Sequence, residues 1–365
     1  MKILITGADG FIAKNLITHL QRDENLTLYL YTKKDSFNIL EAYLKEVDFI
    51  FHLAGVNRPK EIQEFYEGNT NLTKTIVNIL NSNGKNPPIL FSSSTQVTLD
   101  NDYAKSKLEA ENLLLEYAKK TTCYIYRLPN VFGKFSKPNY NSVVATWCHN
   151  IANNLEIQIN NKETQLNLVY IDEVIESFIN TLKNRPEKNY IEIQTVYKKT
   201  LGEIEELLYK FKENRKTLVM PEVGSGFKRA LYATYLSYLS VDDFSYSLEG
   251  HEDERGTFYE VLKTTDNGQF SLSTTAKGIA RGGHYHHTKN EKFLVVKGEA
   301  VIQLRHILTQ EIIEYRVSSK KMEVVEMIPG YTHNIKNIGS DELILLLWAN
   351  ENYKHDKADT YFLEV

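Results

Sequence analysis

The stretch RGGHYHHTKNE, residues 281–291, sets three histidines and a glutamate within eight positions. Histidine titrates near neutral pH and its neutral ring ligates metals, so this density admits a metal site, a proton-transfer site, or a histidine-rich loop without chemistry. On a strand, alternation turns His284 and His286 to one face and His287 to the other. A second group lies upstream in YAKSK, where Tyr103 and Lys107 stand four apart at a helix start and share one face. A free tyrosine titrates near about 10, too high for easy proton transfer at neutral pH, and a neighbouring ammonium stabilises its phenolate. Just upstream the run FSSS ends at Ser94, whose hydroxyl can bond the same substrate oxygen.

These side chains need elements to hold them. From the N-terminus to about residue 180, short apolar runs such as KILIT, LTLYLY, VDFIFHLAG and PILFSSS alternate with helical patterns. That alternation predicts an α/β doubly wound parallel sheet of the Rossmann kind, covered on both faces. The first strand ends in TGADGFIA, where Gly7 permits a tight turn, Gly10 lets the backbone approach a pyrophosphate, and Ala13 occupies the third fingerprint position. The helix starting near Phe11 offers its positive N-terminal end to the phosphates. The second strand ends in YLYTKK without the acidic residue that usually accepts the ribose hydroxyls of NAD. Lys33 or Lys34 can instead meet a 2′-phosphate, which favours NADP, although an exposed lysine pair reads the same way.

The chain has 365 residues, enough for two domains. A formal net charge of -4, with no block of like charges, suggests neither nucleic acid nor a membrane surface as partner. No stretch approaches the roughly 18 uninterrupted apolar residues of a membrane helix, and KILITG reads as a strand rather than a signal peptide. Cys123 and Cys148 stand far apart without a paired-cysteine motif, so a reduced, cytoplasmic location is expected.

TGADGFIA, HLAG, FSSS, YAKSK, RLPNVFG and VYIDEV occur in the order that resembles the extended short-chain dehydrogenases/reductases, over roughly residues 1 to 240. The resemblance implies that Tyr103 donates a proton, that Lys107 binds the nicotinamide ribose and lowers the tyrosine pKa, and that Ser94 orients the carbonyl. It places Gly7, Gly10, Phe11, Ile12, Lys33, Lys34, Leu53, Ala54, Gly55, Lys107 and Asn130 at the cofactor, NADPH, with Asn130 and Gly133 near nicotinamide and substrate. Only eight residues separate Ser94 from Tyr103, fewer than is usual in that group, so the substrate-covering loop there should be short.

Beyond YLSYLSVDDFSYSLEG the alternation stops and short strands follow one another, from GTFYEVLKT to ELILLLWAN, predicting an all-β sandwich or small barrel. The boundary falls near residue 244, giving 1–244 and 245–365. In the second part Gly278, His284, His286, Glu291 and Gly298 are spaced as in the first cupin motif, and PGYTHNIKN, with His333, resembles the second. Pro329 stands directly against Gly330 there, one residue later than in that motif. The set His284, His286, Glu291 and His333 suits zinc or another divalent transition metal with one position open. DERGTFYEV and KGIARGGHYH also resemble the dTDP-4-keto-6-deoxyhexose epimerases, metal-free cupins in which the histidine carried over to His284 is a base and the lysine carried over to Lys292 stabilises the enolate. A ligating His284 cannot be a free base, so the readings compete for one residue. The complete set favours metal, in which case His287, His306 or Tyr331 stand as alternatives for the base. A hydrogen-bonding role without chemistry remains the third reading.

A reductase joined to an epimerase-like cupin resembles the bifunctional nucleotide-sugar enzymes of capsule and O-antigen synthesis. HLAGVNRP, KPNYNSV, HHTKNEKFLVV, GYTHNI and the terminal DTYFLEV extend the likeness along nearly the whole chain. It implies C3 epimerisation of a UDP-2-acetamido-2,6-dideoxy-4-hexulose, then NADPH-dependent reduction at C4 to UDP-2-acetamido-2,6-dideoxy-L-talose, the precursor of UDP-N-acetyl-L-fucosamine. A homodimer is expected. Two rivals stay open: a ketosugar reductase whose barrel only dimerises or binds sugar, and a non-catalytic dinucleotide sensor, which would not need Ser94, Tyr103 and Lys107 together.

Overall fold

The computed structural model describes residues 1–353 and 358–365. The chain forms two compact units, one of residues 1–209 and 224–240, the other of 210–223 and 241–365.

In the first unit, five strands form one sheet: β1 (Lys2–Thr6), β2 (Thr27–Tyr31), β3 (Phe49–His52), β4 (Ile89–Ser94) and β5 (Cys123–Leu128), ordered β2-β1-β3-β4-β5. Every neighbouring pair is parallel. The strands other than edge strand β2 are apolar on both faces because both are covered. Ile3, Ile5, Phe49 and Phe51 face a core completed by Leu16 and Phe178, whereas Leu4, Ile50, Phe91 and Ile125 face another completed by Leu80 and Leu114. Each such side chain contributes roughly 1.5–3 kcal/mol, so the inner strands cannot slip register without exposing one set to water.

From β1 the chain runs to β2 on one side and then returns to β3 on the other. The crevice above this reversal is where doubly wound sheets bind ligands. Gly7 turns there with φ +67°, and a Cβ on it would lie 2.7 Å from the Ala54 Cα. Only glycine lets the turns after β1 and β3 touch. A smaller sheet pairs Asn130–Phe132 with Gln165–Tyr170 in parallel and the latter with Tyr197–Thr200 antiparallel, fixing Asn130 beyond β5.

The second unit consists of two β-sheets around a shared core. Phe293, Val295 and Leu345 from one sheet pack with Ile302, Leu304 and Ile335 from the other. This is the all-β cupin architecture expected of the last third. The unit also takes 210–223, whose strand Val219–Met220 pairs in parallel with Lys263 and Thr264, a segment that one cut near residue 244 assigns to the first part.

Gly7→Ala combines a left-handed backbone with a main-chain clash. It is expected to destabilise the protein by roughly 3 kcal/mol, read as a fall in the midpoint of urea unfolding monitored in the first unit.

Candidate functional site

A cavity of about 990 Å³ opens over the strand ends of the first unit, lined by Gly10, Phe11, Ile12, Leu53, Gly55, Ser94, Tyr103, Lys107 and Asn130 among others. Gly7 and Ala54, expected at the cofactor, are not in this lining, although their turns touch each other. At the cavity edge the helix Phe11–Leu20 begins after Gly10, which gives it no side-chain cap, and its first turn carries no acidic residue. Its free N–H groups and positive end therefore face the cavity, an arrangement fitted to a dinucleotide's phosphates. Lys33 and Lys34 are exposed past β2, outside the cavity lining. The acidic residue next to them, Asp35, accepts the Thr32 N–H and hydroxyl, each at 2.7 Å.

Ser94 ends β4. The connection to the next helix is the single 3-10 turn Thr95–Thr98, after which the Asn101 side chain accepts the Ala104 N–H and starts the helix Asp102–Tyr117. The short loop delivers Tyr103 and Lys107 on adjoining turns beside the end of β4. Burial pushes the Tyr103 phenol up, and a hydrogen bond with Ser94 opposes this. The Lys107 ammonium, one turn on, donates to the Ser92 carbonyl at 3.0 Å. That ammonium is buried, and desolvation lowers its pKa to about 8 despite the opposing pull of Glu111.

Sequence patterns passed over several supports of this wall. Asn69 is fully buried; it accepts the Val56 N–H at 2.9 Å and donates to the Val56 carbonyl at 3.0 Å, pinning the loop after β3, and donates to the Ser106 hydroxyl at 2.9 Å. Glu111, also fully buried, accepts from the Ser93 hydroxyl at 2.5 Å and from Arg127 at 2.7 Å. Its place four residues after Lys107 was the available signal. Phe135 and Tyr140 complete the cavity from the irregular segment after Gly133.

In the second unit, His284, His286, Glu291 and His333 come together, with one candidate ligand atom from each within 4.8 Å of all the others. Strand pairing brings His284 opposite His333. Glu291 Oε2 lies 3.4 Å from His286 Nε2 and 3.5 Å from His333 Nε2. Ligands at zinc distances of 2.0–2.1 Å in a tetrahedron stand about 3.3 Å apart, so these separations fit such an ion. Among the described residues the buried His286 Nε2 has no hydrogen-bond partner. Burial, helped by His333, lowers the His284 pKa to about 4, leaving it in the neutral form that ligates. Burial raises the Glu291 carboxyl, but His286, His333 and Lys289 together hold it well below the usual carboxylate range.

Lys292 does not join this cluster. Alternation along Glu291–Lys297 buries Glu291 and sends Lys292 to the exposed face, where it pairs with Glu326. Among the described residues, the cation beside the cluster is instead Lys289, 2.7 Å from Glu291 Oε1 and largely buried. Among the alternatives for a base, His287 is exposed and its ring meets Tyr361 edge-on. His306 accepts the Leu308 and Thr309 N–H groups within a turn. Tyr331, two residues before His333 on one strand, shares its face and packs on the core. The carbonyl and carboxylate of Asp359 also reach the cluster's loop, from sequence too distant for any local motif to mark.

The first unit is thus a Rossmann-type dinucleotide fold with a serine, tyrosine and lysine at its ligand crevice. Residues 3–193 match the NAD dependent epimerase/dehydratase family, and residues 251–361 match the polysaccharide biosynthesis C-terminal domain. The chain belongs to the NAD dependent epimerase/dehydratase family. It is 47% identical, over 100% of its length and 99% of the relative's, to a Pseudomonas aeruginosa UDP-2-acetamido-2,6-beta-L-arabino-hexul-4-ose reductase. The crystal structure of the capsular polysaccharide assembling protein CapF from Staphylococcus aureus superimposes with a TM-score of 0.94 at 48% identity, covering 100% of both chains. A CapF structure with the inhibitor 3-isopropenyl-tropolone gives a TM-score of 0.89 at 44% identity, again covering 100% of both chains.

Breaking the ion pair of buried Glu111 with Arg127 should be felt. Arg127 is partly exposed and can rehydrate, so Glu111→Gln is expected to cost about 2 kcal/mol, below the 3–5 kcal/mol of a fully buried pair; urea unfolding checks it.

Proposed function

We propose that this protein is a cytoplasmic nucleotide-sugar enzyme that reduces the C4 ketone of a UDP-2-acetamido-2,6-dideoxy-4-hexulose with NADPH, after its cupin domain has epimerised C3. The reductase domain is assigned to 1–244 and the cupin domain to 245–365, with 210–223 packed into the second unit. The observation that carries the reading is the convergence of Ser94, Tyr103 and Lys107 on the wall of the glycine-turn cavity. Full-length similarity to a reductase of such a ketosugar supports the substrate class. Two buried, unpaired cysteines fit a reducing compartment.

NADPH, when bound, supplies the hydride. Ser94 and Tyr103 orient the ketone oxygen by hydrogen bonds, and the Tyr103 hydroxyl transfers its proton to that oxygen as hydride arrives at C4. Lys107 binds the nicotinamide ribose and holds positive charge beneath the tyrosine. Lys33 and Lys34, exposed past β2 beside an Asp35 already engaged by Thr32, favour a 2′-phosphate.

In the cupin, we assign His284, His286, Glu291 and His333 as ligands of a divalent metal, zinc in the first instance. Such an ion would stabilise negative charge on the C4 oxygen while C3 is deprotonated. His284 is then a ligand rather than the base. Lys289 holds Glu291 and adds positive charge. Tyr331 stands on the inner face as the base candidate. The order is coherent because the ketone that acidifies the C3 proton is the ketone later reduced. A homodimer is the assembly we propose for this protein.

Tyr103→Phe in the full-length protein is expected to lower NADPH oxidation by at least roughly 100-fold while sparing solvent deuterium incorporation into the ketosugar without NADPH. Retained oxidation removes Tyr103 from its role, and absence of exchange in the unaltered protein removes the epimerase and leaves the barrel a passive module. Elemental analysis provides the second check: His284→Ala should lose most of the bound metal, and equal metal content in both proteins would return His284 to the role of base.

A further inference from the structure

We propose that the C-terminal segment 358–365 is part of the candidate metal centre, with Asp359 as the positioning residue that fixes the His286 ring and the loop behind it. The inference rests on the metal reading above and concerns how the protein builds the site.

His286 follows the end of the strand Ala280–Tyr285, so the residues after it leave the ladder with unpaired N–H groups. One carboxylate takes three of them. Asp359 accepts from the backbone of His287 at 3.0 Å, Thr288 at 2.7 Å and Lys289 at 2.8 Å, and from the Thr288 hydroxyl at 3.0 Å. The same residue's carbonyl lies 2.5 Å from His286 Nδ1. A carbonyl can only accept, so Nδ1 carries the proton and the lone pair resides on Nε2, the buried atom 3.4 Å from Glu291 Oε2. A partner on the far ring nitrogen fixes tautomer and orientation in this way at metal sites generally. Through the Lys289 backbone, the carboxylate also places the ammonium that holds Glu291 Oε1 at 2.7 Å. Asp359 thus controls two of the four proposed ligands.

The rest of the segment holds Asp359 there. Tyr361–Phe362 pairs antiparallel with His284 and Tyr285, and the Leu363 N–H donates to the Gly283 carbonyl at 2.9 Å. The Thr332 hydroxyl, beside His333, donates to the Leu363 carbonyl, and Arg305 to that of Glu364. Phe362 is 84% exposed and Tyr361 44% exposed. Phe362 is left to solvent and Tyr361 is held only by ring contacts with Tyr285 and His287 among the described residues, so main-chain bonds and the Asp359 carboxylate do most of the fastening. A plain edge strand would need no carboxylate aimed at the histidine loop.

The test uses full-length protein stripped of metal. Zinc affinity is measured by competition with a chromophoric chelator for the unaltered protein, Asp359→Asn and Asp359→Ala, and the His286 tautomer is read from long-range proton–nitrogen spectra of the metal-free forms. Asp359→Asn keeps the shape of the side chain but leaves it one accepting oxygen; its affinity should fall roughly 10-fold, and that of Asp359→Ala 10- to 100-fold, with His286 losing its single tautomer in the alanine variant. The isosteric amide keeps the test valid where the alanine variant folds poorly. Unchanged zinc affinity in Asp359→Asn with an unchanged His286 tautomer in either variant overturns the proposal. No zinc uptake by the unaltered protein fails the metal reading itself, a separate outcome.

Discussion

The cavity of the first unit is organised around one buried ammonium. Removing a charge from water costs several kcal/mol, and the surroundings of Lys107 offset that cost while keeping the side chain in place. Its Nζ donates to the Ser92 carbonyl and sits 4.7 Å from the centre of the Phe91 ring, both on β4. Glu111 adds a negative charge from the next helical turn. The β3 turn must leave room: a Cβ on Gly55 would lie 2.8 Å from Nζ and 3.0 Å from Asn69 Oδ1. His52 answers the same charge by staying neutral; burial first, then Lys107, lowers its pKa to about 3, and its nitrogens bond the Thr6 and Thr73 hydroxyls. A single cation thereby ties β3, β4 and the helix after Ser94 to the glycine turn.

The barrel solves the opposite problem. Its cluster holds three imidazole rings around one carboxylate, and no apolar contact dictates where ring nitrogens point. Strand alternation supplies the coarse placement and the tail supplies the fine one. Phe293, whose ring lies 5.8 Å from that of His333, marks where the apolar core gives way to the polar cluster.

Much of this was legible in the chain, because period-2 and helical patterns, glycine turns and short motifs are local. The parallel sheet, the cavity residues from Gly10 to Asn130, the short loop after Ser94 and the clustering of three histidines with Glu291 all follow from spacing within a few residues or from motif resemblance. Lys292 shows the limit: the same alternation that buries Glu291 turns its neighbour outward, and a role borrowed by resemblance did not respect that geometry. Lys289 was passed over because it lies in a turn, where no period assigns a face.

By itself, then, the sequence determined the two fold classes and the chemistry each could host, since hydrophobic period and residue type are properties of neighbours along the chain. Tertiary structure alone decided that Lys107 turns to the Ser92 carbonyl, that Glu111 meets Arg127, that 210–223 joins the second unit, and that Asp359 returns over some 70 residues to the loop after His286. These contacts join positions whose separation carries no periodic signal; they exist only where folding has closed the intervening loops and removed the water that would otherwise satisfy the same polar groups.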